Sequence, residues 1–385
     1  METSKHELRS KLPNVATTIF TRIGNLAREH NALDLSQGFP NFEMDPELIA
    51  LTTEAMKKGF NQYAPMQGYF GLRTAIADKI QRLHGRTYDP DTEITVTVGA
   101  TQAIFTAITA FVHPGDEVIV LKPAYDCYEP AIVLNGGIPI PVQLNNTDFK
   151  VDWALLKSKI TAKTRMLIIN TPHNPSGRVF SENDMLQLQE ILKPTNIILI
   201  SDEAYEHLVF DERVHWSAAR FTDLASRTFV CASFGKTFYI TGWKMGYCAA
   251  PKALMTAFLK IHQFAVFSIH HPVQRAMAVY LQNADRYLGL PAFYQQKRDF
   301  FLGQLDRSKF TFTPTEGTYF QLLDFSEWSN DSDEAIAERL IVAHKLACIP
   351  ISSFNEGRLD HRLLRFCFAK TEETLEQAAA ILNRL

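Results

Sequence analysis

Apolar residues recur along this chain in short continuous runs, and stretches with a helical period lie between them. These runs are rich in β-branched residues and are bounded by Gly, Pro or Asp, which predicts strands at residues 94–98, 118–121, 166–170, 197–200, 228–232 and 245–249. Continuous apolar strands are typical of sheets that are covered on both faces. Residues 138–144 carry two prolines and are predicted as an edge strand. The pattern predicts an α/β fold with helices flanking a mostly parallel sheet.

The pattern changes after about residue 285. Residues 291–305 have a helical period, whereas residues 310–312, 319–323 and 363–368 alternate like antiparallel strands. Further helices are predicted at residues 333–346 and 371–385. We therefore divide the 385 residues into an N-terminal arm (1–44), a large domain (45–285) and a small α+β domain (286–385) that packs with the arm.

Composition and charge argue against several classes of protein. The net charge is -3 and the basic residues are scattered, so neither nucleic acid nor a membrane surface is an expected partner. The five cysteines are far apart and show no metal-binding spacing, which predicts reduced thiols, no metal site and a cytoplasmic location. No apolar run is long enough to span a membrane, and residues 1–11 lack the apolar core of a signal peptide.

Four polar loops follow predicted strands and are the first candidates for chemistry. They comprise residues 99–102, 170–177, 201–207 and 233–236. In an open α/β sheet the carboxyl ends of the strands meet at one edge, and ligands bind there. Each loop by itself also has a structural explanation, since Asn174-Pro175 is typical of a turn and Asp202 is a suitable helix cap.

Lys236 is the most informative residue in these loops. A lysine in a turn of small residues is usually a solvated surface charge, which is the simpler interpretation. In a desolvated pocket its amine has a lowered pKa and reacts readily with an aldehyde cofactor. Asn174, Asp202, Tyr205 and Lys236 follow one another at strand ends, and this combination favours the second interpretation.

In these segments the chain resembles the fold-type I pyridoxal-phosphate aminotransferases of class I/II. The matching segments span nearly the whole chain: NQYAP (61–65), VGAT (98–101), NPSG (174–177), DEAY (202–205), SFGK (233–236) and LRFCFA (364–369). Within the family it is more similar to methionine aminotransferases and kynurenine–oxoglutarate (glutamine K) transaminases, through LSQGFPNF (35–42), PAYDCY (123–128) and TGWKMGY (241–247). The resemblance implies amino transfer from methionine, an aromatic amino acid, kynurenine or glutamine to a 2-oxo acid.

The resemblance also implies a cofactor and its ligands. Pyridoxal 5'-phosphate would be held covalently by Lys236, whose amine then acts as general acid and base. Asp202 would pair with the ring nitrogen and keep it protonated, while Asn174 and Tyr205 would donate hydrogen bonds to the ring oxygen. Tyr125 would stack on the ring face, with plain core packing as the alternative.

The family binds the cofactor phosphate at the start of a helix. In this chain Ala100 and Thr101 open the predicted helix, and Ser233 and Lys244 would add a hydroxyl and a positive charge. Tyr63 would reach the phosphate from the neighbouring subunit, because members of the family share their active sites across a homodimer.

The resemblance assigns substrate binding to a second group of residues. Arg365 would bind the α-carboxylate with its bidentate fork, assisted by Gly38 and Asn174, although a plain edge-strand charge is the alternative. The aromatic residues Phe20, Phe39 and Tyr63 are expected to form an apolar pocket for the substrate side chain. Aspartate-specific relatives add a second cation, and Arg22 stays a candidate for that role.

Two other functions stay open at this point. A carbon–sulfur β-lyase acting on cysteine conjugates uses the same scaffold and the same residues. A non-catalytic cofactor-sensing domain of a transcription regulator is disfavoured, because few residues precede the first matching stretch and they show no basic helix-turn-helix pattern.

Overall fold

The strands of the protein form three sheets in the computed structural model, which describes residues 10–385. Residues 1–9, with part of the predicted arm and of the stretch judged for a signal peptide, lie outside the described residues. The strands are β1 (Leu33–Asp34), β2 (Ile94–Thr97), β3 (Glu117–Lys122), β4 (Ile138–Gln143), β5 (Thr164–Asn170), β6 (Ile198–Asp202), β7 (Thr228–Ser233), β8 (Gly246–Ala249), β9 (Phe320–Asp324), β10 (Leu346–Ala347), β11 (Ile349–Pro350) and β12 (Leu363–Cys367).

The helices begin where the sequence provides caps. Ser181 and Asp184 form the capping box predicted by their spacing, and Asp45 caps a helix whose first residue is Pro46. The helices are α1 (Ile19–Glu29), α2 (Pro46–Lys57), α3 (Phe70–His84), α4 (Gly99–Phe111), α5 (Tyr128–Leu134), α6 (Trp153–Ser158), α7 (Glu182–Leu192), α8 (Thr222–Ala225), α9 (Phe234–Thr237), α10 (Lys252–Ala265), α11 (His271–Tyr280), α12 (Asp285–Leu288), α13 (Leu290–Gly303), α14 (Asp333–His344) and α15 (Glu372–Leu382).

The largest sheet has seven strands in the order β2-β8-β7-β6-β5-β3-β4. Strands β3 to β7 pair in parallel, and β8 runs antiparallel to both of its neighbours. Strand β4 lies at the edge, as its two prolines predict, because a proline cannot donate a ladder hydrogen bond. The predicted α/β fold class is confirmed.

Helices cover both faces of this sheet, and the strand side chains alternate between two apolar cores. In β3, Val118 and Val120 pack in a core that includes residues of α4, α5 and α10, whereas Ile119 and Leu121 belong to the core on the other face. All four residues are buried. This double coverage explains why the strands are continuously apolar in the sequence.

The C-terminal part contains a three-stranded antiparallel sheet in the order β11-β12-β9. The predicted strand at residues 310–312 is wrong: Thr311 makes only an isolated bridge to Asp324. The chain then turns away at Pro314, and the Glu316 oxygen accepts a hydrogen bond from Phe210 instead. Residues of β11, which were not predicted, provide the third strand.

Strand β1 of the N-terminal arm pairs in parallel with β10, at Leu33 opposite Leu346. Helix α1 also contacts α14. These contacts support the proposal that the arm packs with the small domain, and the boundaries at residues 44/45 and 285/286 stay a prediction. Within the described residues, no helix is long and apolar enough to cross a membrane.

Candidate active site

A cavity of about 290 Å³ opens at the carboxyl ends of β5, β6 and β7. Strand register brings these ends together, since Asn170 is paired with Asp202 and Ser233 is paired with Gly246. All the predicted site residues except Tyr63 line this cavity: Phe20, Gly38, Ala100, Thr101, Tyr125, Asn174, Asp202, Tyr205, Ser233, Lys236, Lys244 and Arg365.

Lys236 lies in α9, the short helix that directly follows β7. Its Nζ donates a hydrogen bond to the Gly38 carbonyl oxygen at 3.0 Å. Burial lowers the pKa of the Lys236 amine to about 8, and the positive charges of Lys244 and Arg365 act in the same direction. The interpretation of Lys236 as a solvated surface lysine is therefore wrong.

Asp202 ends β6 and is 5% exposed. Tyr128 donates a hydrogen bond to its Oδ2 at 2.5 Å, and the Ala204 N–H donates to its Oδ1 at 3.1 Å. Burial raises the pKa of the Asp202 carboxyl to about 6, although both hydrogen bonds oppose this shift. The carboxylate is thus held in a dry environment that favours pairing with a cation.

Tyr128 was missed as a site residue by sequence reasoning. Its ring lies against that of Tyr125 in an edge-on arrangement, with the ring centres 5.9 Å apart. Burial raises the pKa of Tyr125 to about 12, so both phenols are neutral donors near neutral pH.

Two asparagines link Asp202 to Arg365. Asn170 donates from Nδ2 to the Asp202 backbone oxygen at 2.8 Å and accepts at Oδ1 from the Asn174 N–H at 2.7 Å. Arg365 donates from Nη1 to Asn174 Oδ1 at 2.6 Å. Because Asn174 Oδ1 serves Arg365, the amide nitrogen of Asn174 is left to donate to a ligand.

Arg365 lies in β12, the central strand of its sheet, so the alternative of an edge-strand charge is wrong. The residue is 1% exposed, and its guanidinium carbon is 3.8 Å from the centre of the Phe320 ring. Nη2 donates to the Ser36 oxygen at 3.2 Å, whereas Nε has no partner within residues 10–385. A buried guanidinium with an unpaired N–H is suited to bind a carboxylate.

The start of α4 forms another polar part of the cavity wall, separate from the group that links Asp202 to Arg365. Gly99 has a φ of +69°, which favours glycine, and a Cβ added there would lie 3.9 Å from Cε of Lys244. The first N–H groups of a helix have no partner inside the helix, which leaves those of Ala100 and Thr101 to an anion. Ser233 and Lys244 line the cavity beside them.

The side of the cavity near α1 is apolar. Phe20, Phe39 and Phe320 line it, and the Phe20 ring lies 5.8 Å from that of Phe354. Arg22 is not part of this lining, because its Nη2 donates to Glu334 of α14 at 3.1 Å. Among the described residues that line the cavity, the cations are Lys236, Lys244 and Arg365.

Tyr63 lies outside the cavity of its own chain. Its side chain is 81% exposed, and its ring contacts the ring of Phe267 with centres 5.3 Å apart. Any role of Tyr63 in an active site therefore requires a second copy of the chain.

Tyr319 is the second residue that sequence reasoning missed. Its hydroxyl donates to the Gly38 oxygen at 2.5 Å, and its ring packs edge-on against Tyr205 with centres 5.2 Å apart. Gly38 and Tyr319 are 281 positions apart. No periodicity in the sequence could connect them.

The chain is similar to known proteins along nearly its whole length. The family described as aminotransferase class I and II matches residues 30–382. The methionine aminotransferase of Escherichia coli (strain K12) is 44% identical, covering 98% of this chain and 98% of that protein. Kynurenine–oxoglutarate transaminase 1 of Rattus norvegicus is 32% identical and covers 95% of each chain. A crystal structure from E. coli, described with a methionine aminotransferase function, has a TM-score of 0.96 at 44% identity and covers 99% of this chain and 100% of that chain. The chain therefore belongs to the class I and II aminotransferase family and is an amino-group transferase.

Proposed function

We propose that this protein is a pyridoxal-phosphate-dependent aminotransferase that acts on methionine and aromatic amino acids with a 2-oxo acid as acceptor. Kynurenine and glutamine are further candidate donors. The observation that carries the proposal is a single cavity in which the Lys236 amine, the Asp202 carboxylate and the Arg365 guanidinium converge. Amino transfer needs an amine that anchors the cofactor and moves a proton, an acid that pairs with the ring nitrogen, and a cation that binds the substrate carboxylate, and these three groups can supply them.

The residues present fit pyridoxal phosphate. The phosphate would take the N–H groups at the start of α4 together with Ser233 and Lys244. Asp202 has one oxygen bound by Tyr128 and is buried, which suits a partner with a positively charged ring nitrogen. Asn174 and Tyr205 are buried and retain donors for the ring oxygen, and Tyr125 is placed to cover a ring face.

When bound, pyridoxal phosphate supplies the electron sink for the electrons of the broken Cα–H bond. The Lys236 amine, with its pKa lowered to about 8 by burial, is poised to anchor the cofactor and then to accept the proton from the substrate Cα. Asp202 would hold the ring nitrogen of the bound cofactor in its protonated form. Arg365 lines the same cavity as Lys236 and would orient the substrate by its carboxylate.

The apolar lining determines the proposed substrate class. Phe20, Phe39 and Phe320 provide a surface for an uncharged side chain, such as a thioether or an aromatic ring. Arg22 is bound to Glu334, which weakens its candidacy as a receptor for a side-chain carboxylate. The E. coli relative named methionine aminotransferase supports the same class. We expect broad specificity, because one methylene group contributes only about 1–3 kcal/mol in such a pocket.

We also propose that the protein is a homodimer with shared active sites. Tyr63 and Phe264 are 81% and 85% exposed, and Phe267 next to Tyr63 is half-exposed. Large aromatic side chains clustered on a surface are typical of an interface. The resemblance to the family implies that Tyr63 of the second copy would then reach the phosphate end of the cavity. The cytoplasmic location expected from the cysteines stays a prediction.

The first experiment combines absorbance and trapping. Protein purified with pyridoxal phosphate should be yellow, and borohydride should fix the cofactor to Lys236, as located by peptide mass spectrometry. Lys236→Ala should lose turnover by at least about 10³-fold, and Lys122→Ala is the control, because Lys122 pairs with Glu129 outside the cavity. A colourless Lys236→Ala variant that still turned over substrate would contradict the proposal.

A second experiment separates transferase from lyase chemistry. Methionine, phenylalanine, kynurenine and glutamine are each tested with several 2-oxo acids, and conversion of the cofactor to its amine form is followed by absorbance. Half-transamination without release of pyruvate supports the transferase. Release of pyruvate from a cysteine conjugate without any acceptor would establish the β-lyase as the main activity instead.

A further inference from the structure

Every backbone oxygen of the loop of residues 35–39 accepts a hydrogen bond, and four of the five oxygens accept from residues outside the loop. The donors to these successive oxygens, from Leu35 to Phe39, are the Cys367 N–H, Arg365 Nη2, the Phe39 N–H, Lys236 Nζ with the Tyr319 hydroxyl, and Lys370 Nζ. Three of these six donors, on Arg365, Cys367 and Lys370, come from β12 and the residues just after it. The loop therefore has little freedom to move independently of the Arg365 strand.

The Gly38 oxygen differs from the others because it has two side-chain donors. Lys236 Nζ lies 3.0 Å and the Tyr319 hydroxyl 2.5 Å from it. Lys236 must leave this oxygen in order to anchor a cofactor or to reach a substrate Cα. Tyr319 is fully buried, and burial raises the pKa of its phenol well above the ordinary value, so its hydroxyl stays protonated and continues to donate.

The position of Gly38 matters for the substrate. Within residues 10–385 the Gly38 N–H donates to no protein oxygen, while the N–H groups around it, at Gln37 and Phe39, are bound. A Cβ added at Gly38 would lie 2.8 Å from Cζ of Phe320, so the backbone packs directly against the wall of the cavity. The Gly38 oxygen belongs to the peptide unit that joins Gly38 to Phe39, so holding its direction restricts the ψ angle of Gly38. The Gly38 N–H lies in the preceding peptide unit, whose Gln37 oxygen accepts from the Phe39 N–H.

We propose that Tyr319 is a positioning residue that keeps the Gly38 loop in its substrate-binding geometry after Lys236 has left the Gly38 oxygen. The proposal rests on the proposed function of the cavity. Without the hydroxyl, the partly buried Gly38 oxygen would have no protein donor whenever Lys236 is engaged, and the loop would rearrange to find one. The substrate carboxylate would then lose the Gly38 N–H, although Arg365 would still hold it.

The test compares Tyr319→Phe with Tyr294→Phe. Tyr294 is a matched control, because it is equally buried, its ring lies 5.8 Å from that of Tyr319, and its hydroxyl has no hydrogen-bond partner within the described residues. For Tyr319→Phe we expect KM for methionine to rise about tenfold, while kcat changes less than about threefold, as for the loss of one hydrogen bond. Tyr294→Phe should leave both constants within about twofold.

A binding measurement keeps this test independent of turnover. The dissociation constant of 3-phenylpropionate, a carboxylate without an amino or oxo group, is measured by calorimetry on the cofactor-loaded protein. It should rise about tenfold in Tyr319→Phe and stay unchanged in Tyr294→Phe. Equal changes in both variants, or none in either, would overturn the role of Tyr319. A wild-type protein that binds the carboxylate but does not transaminate would instead refute the proposed function.

Discussion

Replacing Asp202 by Asn should stabilise the cofactor-free protein at neutral pH while it removes activity. Burial raises the pKa of the Asp202 carboxyl from 3.8 to about 6. At a pH between 3.8 and 6, the Asp202 carboxyl is mostly ionised in the unfolded chain but still mostly protonated in the folded protein. The folded state is therefore progressively destabilised as pH rises from 3.8 to 6, by about 3 kcal/mol in total. Asn has no such cost, because it carries no charge at any pH.

The assay is urea unfolding of cofactor-free wild-type and Asp202→Asn protein between pH 4.5 and 7.5. The difference in unfolding free energy between the two proteins should grow by about 2 kcal/mol in favour of the variant over this range. Constant effects of the substitution, such as a weaker hydrogen bond from Tyr128, cancel in this comparison. Transaminase activity of the cofactor-loaded variant serves as the second readout and should fall at least about 10²-fold.

A stability difference that stays constant with pH would refute the reasoning. It would mean that Asp202 ionises normally in the folded protein, so that burial imposes no charge penalty. A difference that grows in favour of the wild-type protein would imply a cationic partner for Asp202 in the cofactor-free state. The first result would remove the argument that burial prepares Asp202 for a cationic partner, and the second would show that a cation of the protein already fills that role.

Three further predictions concern the same cavity. Tyr128→Phe removes the donor to Asp202 Oδ2, so the pKa of the folded Asp202 carboxyl should rise further. The upper end of the pH range over which the urea experiment shows destabilisation should then move upward by about one unit, and an unchanged range would contradict this role of Tyr128. Since the pKa of Lys236 is lowered to about 8, covalent capture of pyridoxal phosphate by cofactor-free protein should accelerate as pH rises and level off above pH 8; a rate that climbs steadily to pH 10 would indicate an ordinary lysine. Arg365→Lys loses the bidentate fork and should raise KM for methionine about 10- to 100-fold, with Arg22→Lys, whose side chain pairs with Glu334, as a control that changes KM less than twofold.

Much of the main sheet could be predicted because its determinants are local in the chain. The strands β3, β5, β6 and β7 contain continuous apolar runs, and the edge position of β4 follows from its two prolines. The prediction of a strand at residues 310–312 was wrong for a non-local reason. Its neighbour Glu316 is bound by residues distant in the chain: its backbone oxygen accepts from the Phe210 N–H, and its carboxylate accepts from Arg178.

The candidate site likewise contains residues that the sequence could predict and residues that it could not. Asp202, Asn174 and Lys236 could be placed at one edge of the sheet, because the ends of parallel strands meet whatever the details of packing. Tyr128 and Tyr319 could not be assigned roles in this way. Each acts through one hydrogen bond to a partner far away in the chain, and aromatic residues are ordinary members of a core.

The sequence by itself determined the alternation of helices and strands, the polar loops at the strand ends and the family motifs. Only the tertiary structure decided which charges are buried, which donors are already used and which stay available to a ligand. Arg365 illustrates the difference. In the sequence it is one basic residue in a short strand, whereas in the fold it is a buried cation beside Asn174 and Phe320 with one N–H unpaired. Burial and hydrogen-bond saturation depend on contacts among distant segments, and no local pattern records them.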